Sequence, residues 1–155
     1  MVFNRHKNFF KKEPRLIRGA SLYVENPHGD FLMQLRTADA AREPNKWTAL
    51  SGAIEPLEDP EKTINREVKE ELGITPPQVT FFRDYLWICE DSRYAWYSHN
   101  FVFYAFVDLP IETLRLTEGQ KLSYLSIEGI LKMDLAFNHN QTFRDLIAWL
   151  GRQPQ

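Results

Sequence analysis

The sequence has little of several things, and each scarcity excludes a class of protein. Its single cysteine, Cys89, rules out an internal disulfide framework and a cysteine-cluster metal site. One free thiol fits a reducing compartment, so the expected location is cytoplasmic. A membrane-spanning helix needs about 20 consecutive apolar residues, and the most apolar run, 101–107, is far shorter. The first fifteen residues interrupt their phenylalanines with charges and lack the continuous apolar segment of a secretory signal. Neither charge sign dominates. Nineteen Lys and Arg against 21 Asp and Glu leave a net charge of -2, so no overall pull toward nucleic acid or an anionic membrane is expected. Repeats and low-complexity tracts are lacking too. What remains is an ordinary globular mixture, 43% hydrophobic and 26% charged over 155 residues, which excludes bulk disorder and suits one domain.

Residues 1–15 read as an arm, with Arg5, Lys7, Lys11, Lys12 and Arg15 set among Phe3, Phe9 and Phe10. Its expected role is a solvated arm whose phenylalanines pack on the domain, and attraction of phosphate or polynucleotide is the functional alternative. Residues 16–155 form the domain. Strand character at 16–24 and 31–36 flanks the turn sequence Asn26-Pro27-His28-Gly29-Asp30, which predicts a hairpin. A loop at 37–46 leads to a short strand at 47–54. The clearest helix spans 60–72: Asp59 is a good N-cap, Pro60 suits the first helical position, and Gly73 suits a left-handed terminus. Ile64, Val68 and Leu72 form its buried stripe. Two β-rich runs, 79–89 and 97–107, are separated by the polar turn 90–93. Then follow a last strand at 122–125, a short turn at 128–133 and a C-terminal helix at 141–150. Mixed order with more strands than helices predicts an α/β (α+β) sandwich, a mixed β-sheet flanked by helices.

The chemistry concentrates between Gly52 and Ile74, in GAIEPLEDPEKTINREVKEELGI. Gly52 is followed six residues later by Glu58, then by Arg66-Glu67, Val68, Glu70-Glu71 and Gly73-Ile74. On a helix, Glu67, Glu70 and Glu71 stand at i, i+3 and i+4, so their carboxylates share one face, about 110° around from the apolar stripe. Like charges at that spacing repel, and Arg66 to Glu70 relieves only part of it. A plain solvated helix gains nothing from such a cluster. A hard divalent cation with oxygen ligands removes the repulsion, and Mg²⁺ is the default where phosphates complete the shell. Gly52 permits close backbone approach, so its carbonyl is a candidate ligand. Glu58 is expected to be structural, either favouring the helix N-terminus or pairing with Arg66. Arg66 is expected to hold a glutamate in place.

This pattern, G-x5-E-x7-R-E-U-x-E-E-x-G-U with U aliphatic, is the Nudix box, and every specified position is met. The chain therefore resembles the Nudix hydrolases, and within them the MutT-type nucleoside triphosphate pyrophosphohydrolases. That resemblance implies an α/β/α sandwich and Mg²⁺-dependent hydrolysis, with Mn²⁺ as a substitute, of a nucleoside diphosphate linked to a further group X. It implies metal ligation by Glu67, Glu70 and Glu71 with the Gly52 carbonyl. Three further segments look MutT-like. The strand-loop junction at Arg36 implies a phosphate contact. Thr117-Glu118-Gly119-Gln120 implies an added ligand or base at Glu118, and Asn138-His139-Asn140 implies a purine reader, Asn140 fitting best. Glu70 and Glu118 both stay open as the general base. Trp47, Tyr85, Trp87 and Tyr97 are candidates to stack on a base, Trp47 foremost, each with core packing as the competing role.

The expected partner is a small nucleoside polyphosphate, most simply an (oxidised) nucleoside triphosphate cleaved to monophosphate and pyrophosphate. Dihydroneopterin triphosphate and nucleotide sugars are alternatives, as KWTALSGAIEP with the later LTEGQKLSYL resembles the dihydroneopterin triphosphate pyrophosphatases and LYVENPHGDFLMQLRT resembles nucleotide-sugar hydrolases; dinucleoside polyphosphates are a further alternative. A non-catalytic regulatory domain would be expected to have lost acids from the box, and this chain has lost none. Capped or triphosphorylated RNA ends have only the basic arm in their favour. Membrane partners are not expected. Oligomeric state is not legible, although relatives commonly form homodimers.

Overall fold

In the computed structural model, residues 15–90 and 95–152 are described. The arm at 1–14 and the polar turn at 91–93 lie outside them. Arg15, grouped with the arm on sequence, instead opens the first strand, β1 (Arg15–Glu25).

Both faces of β1 are buried over its second half, and they feed two different cores. Ala20, Leu22 and Val24 point to one side, where they meet Leu32, Leu50, Ile64, Val68 and Leu72. Tyr23 points to the other, where it meets Phe31, Met33, Val102, Phe143, Leu146 and Ile147. This period-two split makes β1 the spine of a sheet covered on both sides. β1 runs parallel to β6 (Ala95–Phe106) in the register Gly19 to Asn100 and Ser21 to Val102. Its other edge pairs antiparallel with β4 (Leu50–Ala53) and, at Glu25, with β2 (Phe31–Leu35). β2 also pairs with β3 (Trp47–Thr48) and β7 (Lys121–Leu125), and β5 (Thr80–Glu90) pairs antiparallel with β6. The expected hairpin is present. The Asn26 side-chain carbonyl accepts from the His28 and Asp30 N–H groups at 3.0 Å each.

α1 (Pro60–Glu67) covers one face, while α2 (Ile127–Leu131) and α3 (His139–Trp149) cover the other, giving the expected sandwich. Among the described residues, no helix is long and apolar enough to cross a membrane.

Several sequence expectations need correction. The strand expected at 47–54 is divided into β3 and β4. The segment 128–133 contains α2 and is more than a turn; Ser126 caps it, accepting from the Gly129 N–H at 3.0 Å. α3 begins at His139, ahead of the expected 141. Most consequential, 60–72 is not one regular α-helix: after Glu67 it widens into a π turn over Val68–Leu72, closed by Gly73 in the left-handed conformation (φ 68°). On this turn Glu71 is only 5% exposed, deeper than the rim position that α-helical spacing predicts for the acids.

Candidate active site

The site is built around Arg66. Asp59 caps α1 by accepting from the Lys62 N–H at 2.9 Å, which fixes the helix start. The residue before it, Glu58, turns back along the helix. Its two oxygens accept from Arg66 Nε and Nη2 at 2.8 and 3.1 Å, a bidentate pair. Glu58 also accepts from Thr63 and from the Glu55 N–H, and Arg66 foremost holds its carboxyl down to about 2. The same guanidinium donates from Nη1 to Glu67 at 2.7 Å and to Glu70 at 3.3 Å, and from Nη2 to the Ala53 carbonyl at 3.0 Å. Arg66 thus ties the approach loop, β4 and two acids of the cluster into one unit. Glu58 thus makes the pairing with Arg66 that its structural expectation named.

The acids differ in their surroundings. The Glu70 side chain is 60% exposed and that of Glu67 only 13%. Glu67 rests against Gly52, where an added Cβ would overlap its carboxylate. Gly52 is therefore required to leave room for an acid. Glu71 is the most deeply placed. Its Oε2 has no hydrogen-bond partner, and burial, then Glu67 and Glu118, push its carboxyl up to about 9. Burial raises Glu67 too, against the opposing pull of Arg66.

Glu118 reaches this cluster because its loop is fastened at both ends. The Thr117 hydroxyl donates to the Glu70 and Glu71 carbonyls, left open where the π turn ends, at 3.1 and 3.2 Å. On the other side the Gln120 N–H donates to the Leu35 carbonyl at 2.8 Å, and the Gln34 amide donates to the Glu118 carbonyl. Gly119 sits at φ +81° against the Leu35 carbonyl, a close approach that a side chain would block.

Beside the acids lies a cleft that shares Gly52 and Ala53 with them. Arg18, Arg36 and Arg42 contribute positive charge to its wall, with Phe137 between Arg36 and Arg42 at 4.9 and 5.9 Å from the ring centre. Arg36 is held there by donating from Nε and Nη2 to the Arg42 carbonyl at 3.3 and 3.0 Å. Ser21, Ser98, Asn100 and His139 form a polar floor, with Trp87 beside them.

A family model of the NUDIX domain matches residues 15–150. The chain belongs to the NUDIX domain family. Solved structures of similar fold include a MutT protein from Methanosarcina mazei Go1, 23% identical over 92% of this chain and 99% of that one, with a TM-score of 0.70. The NUDIX domain of Shewanella oneidensis NrtR, complexed with ADP ribose, is 19% identical over 90% of each chain, also at 0.70. A C. elegans Ap4A hydrolase is 21% identical over 87% of this chain and 98% of that one, at 0.64. A search of curated proteins found no match.

The NUDIX fold brings Gly52, Arg66, Glu67, Glu70, Glu71 and Glu118 together and sets Arg36 on the cleft wall. Two expected substrate contacts lie elsewhere. Trp47 packs half-buried against the core beneath α2 and α3 and does not line the cleft. Asn140 turns to its own loop: its Oδ1 accepts from the Leu135 N–H at 2.9 Å and its Nδ2 donates to the Met133 carbonyl at 2.8 Å. Its neighbours Asn138 and His139 line the cleft instead. Of the other aromatic candidates Trp87 alone reaches the cleft. Tyr85 donates to Asp145 at 2.8 Å and packs in the core, and Tyr97 is exposed outside the cleft lining. Sequence reasoning missed Arg18, Arg42, Ser21 and Asn100. The last two left a signal, since each is a polar residue just ahead of an apolar run, Ser21 before Leu22-Tyr23-Val24 and Asn100 before Phe101-Val102-Phe103.

Proposed function

We propose that the protein is a divalent-metal-dependent nucleoside polyphosphate pyrophosphohydrolase, MutT-like in releasing a nucleoside monophosphate and pyrophosphate. The observation that carries this reading is Glu71, a buried acid with an orphaned oxygen, set against Glu67 and Glu118. Burying such a group is costly without a compensating cation. Among the described residues no three acidic, histidine or cysteine side chains already stand in ligating geometry, and Glu67 and Glu70 are paired with Arg66. The donor set, all carboxylate and carbonyl oxygen, fits Mg²⁺, with Mn²⁺ as a substitute. Glu67, Glu70, Glu71 and Glu118 with the Gly52 carbonyl would hold it. Such an ion, when bound, neutralises phosphate charge and acidifies a water.

The chain's own residues supply the rest. Arg66 keeps Glu67 and Glu70 oriented toward β4. Arg36, its guanidinium fixed over Phe137, offers positive charge to a phosphate at the cleft wall. Glu70 and Glu118 are the solvent-accessible carboxylates of the group and share candidacy for taking the proton from the attacking water. In-line attack at a bridging phosphorus then separates the two products.

The neighbours' names include a MutT protein, an Ap4A hydrolase and a domain complexed with ADP ribose, so the group X is settled by assay. A panel of ordinary and oxidised nucleoside triphosphates, dinucleoside polyphosphates, nucleotide sugars and dihydroneopterin triphosphate should be ranked by kcat/KM with and without Mg²⁺. The expected result is Mg²⁺-dependent pyrophosphate release, highest for a triphosphate. No metal-dependent turnover of any compound would refute catalysis and favour a binding role.

A further inference from the structure

The cleft floor is polar where the sheet pattern calls for apolar side chains. On the side of the sheet that packs under α3, β1 presents Ser21 and then Tyr23, and β6 presents Ser98, Asn100 and then Val102. Tyr23 and Val102 join the core. Ser21 and Asn100, one step outward, are nearly as buried, at 1% and 7% exposure, yet both can hydrogen-bond. Polar groups so placed are costly unless paired, and their pairing here has a direction.

That direction starts at His139, 2% exposed at the start of α3. The Ala49 N–H donates to its Nδ1 at 3.1 Å, so Nδ1 carries no proton. Burial, aided by the nearby Arg36 charge, pulls the ring's pKa down to about 4 and keeps it neutral, which leaves its one proton on Nε2. Nε2 lies 3.5 Å from the Ser21 hydroxyl, which in turn donates to Asn100 Oδ1 at 3.1 Å. The chain runs one way, from His139 through Ser21 to Asn100, and it ends on the Asn100 oxygen, which fixes the amide's orientation. The Asn100 Nδ2 is left as a donor without a partner among the described residues. Beside Asn100, the cross-strand pair Trp87 and Ser98 also lines the cleft, and the buried Trp87 Nε1 has no acceptor.

We propose that Asn100 is a specificity-determining residue of this cleft, its amide locked by Ser21 and His139 so that it donates to a carbonyl oxygen on the substrate's base. This inference rests on the nucleotide reading above and goes beyond it by naming the base chemistry selected. An unconstrained asparagine satisfies adenine by accepting from the amine and donating to the ring nitrogen. With Oδ1 turned toward Ser21 at 3.1 Å, the amide is held with Nδ2 as the group left for a substrate, and that mode is disfavoured. An exocyclic amine then meets a second donor, whereas an oxo group meets its complement. The site therefore favours bases bearing an oxo group over otherwise similar bases bearing an amine.

The test is calorimetric binding of 5′-monophosphates without metal, comparing IMP with AMP and UMP with CMP, each pair exchanging oxo for amine. The wild-type protein should bind IMP and UMP about tenfold or more tightly than their partners, the discrimination typical of a good base contact. Asn100→Asp still accepts from Ser21 but replaces the donor with an acceptor, so the IMP-to-AMP ratio should fall below one. Ser21→Ala frees the amide to rotate, so the ratio should relax toward one; melting curves confirm that each variant is folded. Equal binding of IMP and AMP to wild type, failure of all four to bind, or an unmoved ratio in the variants that fold overturns the inference. Mg²⁺-dependent hydrolysis of ITP and ATP is followed separately. Loss of hydrolysis with base discrimination intact counts against the proposed activity alone.

Discussion

Replacing Asn140 with alanine separates two roles for the residue that the MutT-like resemblance favoured as a base reader. In the structure its amide bridges the loop before α3, accepting from Leu135 at 2.9 Å and donating to the Met133 carbonyl at 2.8 Å. Leu135 and Ala136 are almost fully buried, so water does not easily replace the lost partner. Two such bonds, each worth about 1 kcal/mol net with an added penalty for the stranded Leu135 N–H, total about 2–3 kcal/mol. For a chain of this length that corresponds to a fall in melting temperature of about 5–10 °C. Asn140→Asp keeps the acceptor and loses the donor, and should recover about half of the loss. Assays well below the melting point should show kcat/KM within about threefold of wild type, as expected for a change whose effect is on stability. Thermal unfolding by circular dichroism and steady-state kinetics on the same samples decide the matter. An unchanged melting temperature with a large rise in KM would refute the structural reasoning and return Asn140 to the substrate.

Other perturbations probe the acid cluster and its surroundings. Glu71→Gln should lower turnover by about two orders of magnitude or more and abolish the rise in melting temperature that Mg²⁺ gives the wild type. Without metal, the variant should melt no lower than wild type, because a buried acid facing two others has been neutralised; a clear drop would argue against that account. Gly52→Ala should push Glu67 off its resting place and weaken the apparent Mg²⁺ affinity about tenfold, read from the metal dependence of turnover. His139 has its folded-state pKa lowered to about 4 from an ordinary 6.5. Its stabilisation is thus complete above about pH 6.5 and lost as pH falls toward 4, by about 3 kcal/mol. The unfolding free energy of wild type relative to His139→Gln should shrink over that window, and an imidazole NMR titration near 6.5 would contradict it.

The sequence by itself determined the acid cluster of the candidate site and most of the elements that carry it. Asp59, Pro60 and Gly73 marked both ends of the acid-bearing segment, since cap and terminator preferences are local. The spacing of Glu67, Glu70 and Glu71 put three oxygen donors within one turn, and the Asn26–Asp30 turn announced its hairpin. Arg66 and Glu58, eight residues apart, were near enough in sequence for their pairing to be foreseen. Tertiary structure decided what depends on distant segments meeting. The π turn that buries Glu71 is continued by Thr117, 46 residues away along the chain, whose hydroxyl occupies the carbonyls at its end. Glu118 faces the cluster only because Gly119 and Gln120 dock on the end of β2. Asn140 and Asn100 owe their placement to the same cause: an amide's surroundings follow from the partners that take its oxygen and nitrogen. Those partners, Leu135 and Met133 for one and Ser21 for the other, are fixed by loop closure and by the parallel pairing of β1 with β6, separated by 79 residues. Side-chain chemistry is written residue by residue, whereas the direction in which a hydrogen bond points is set only when the sheet has closed around it.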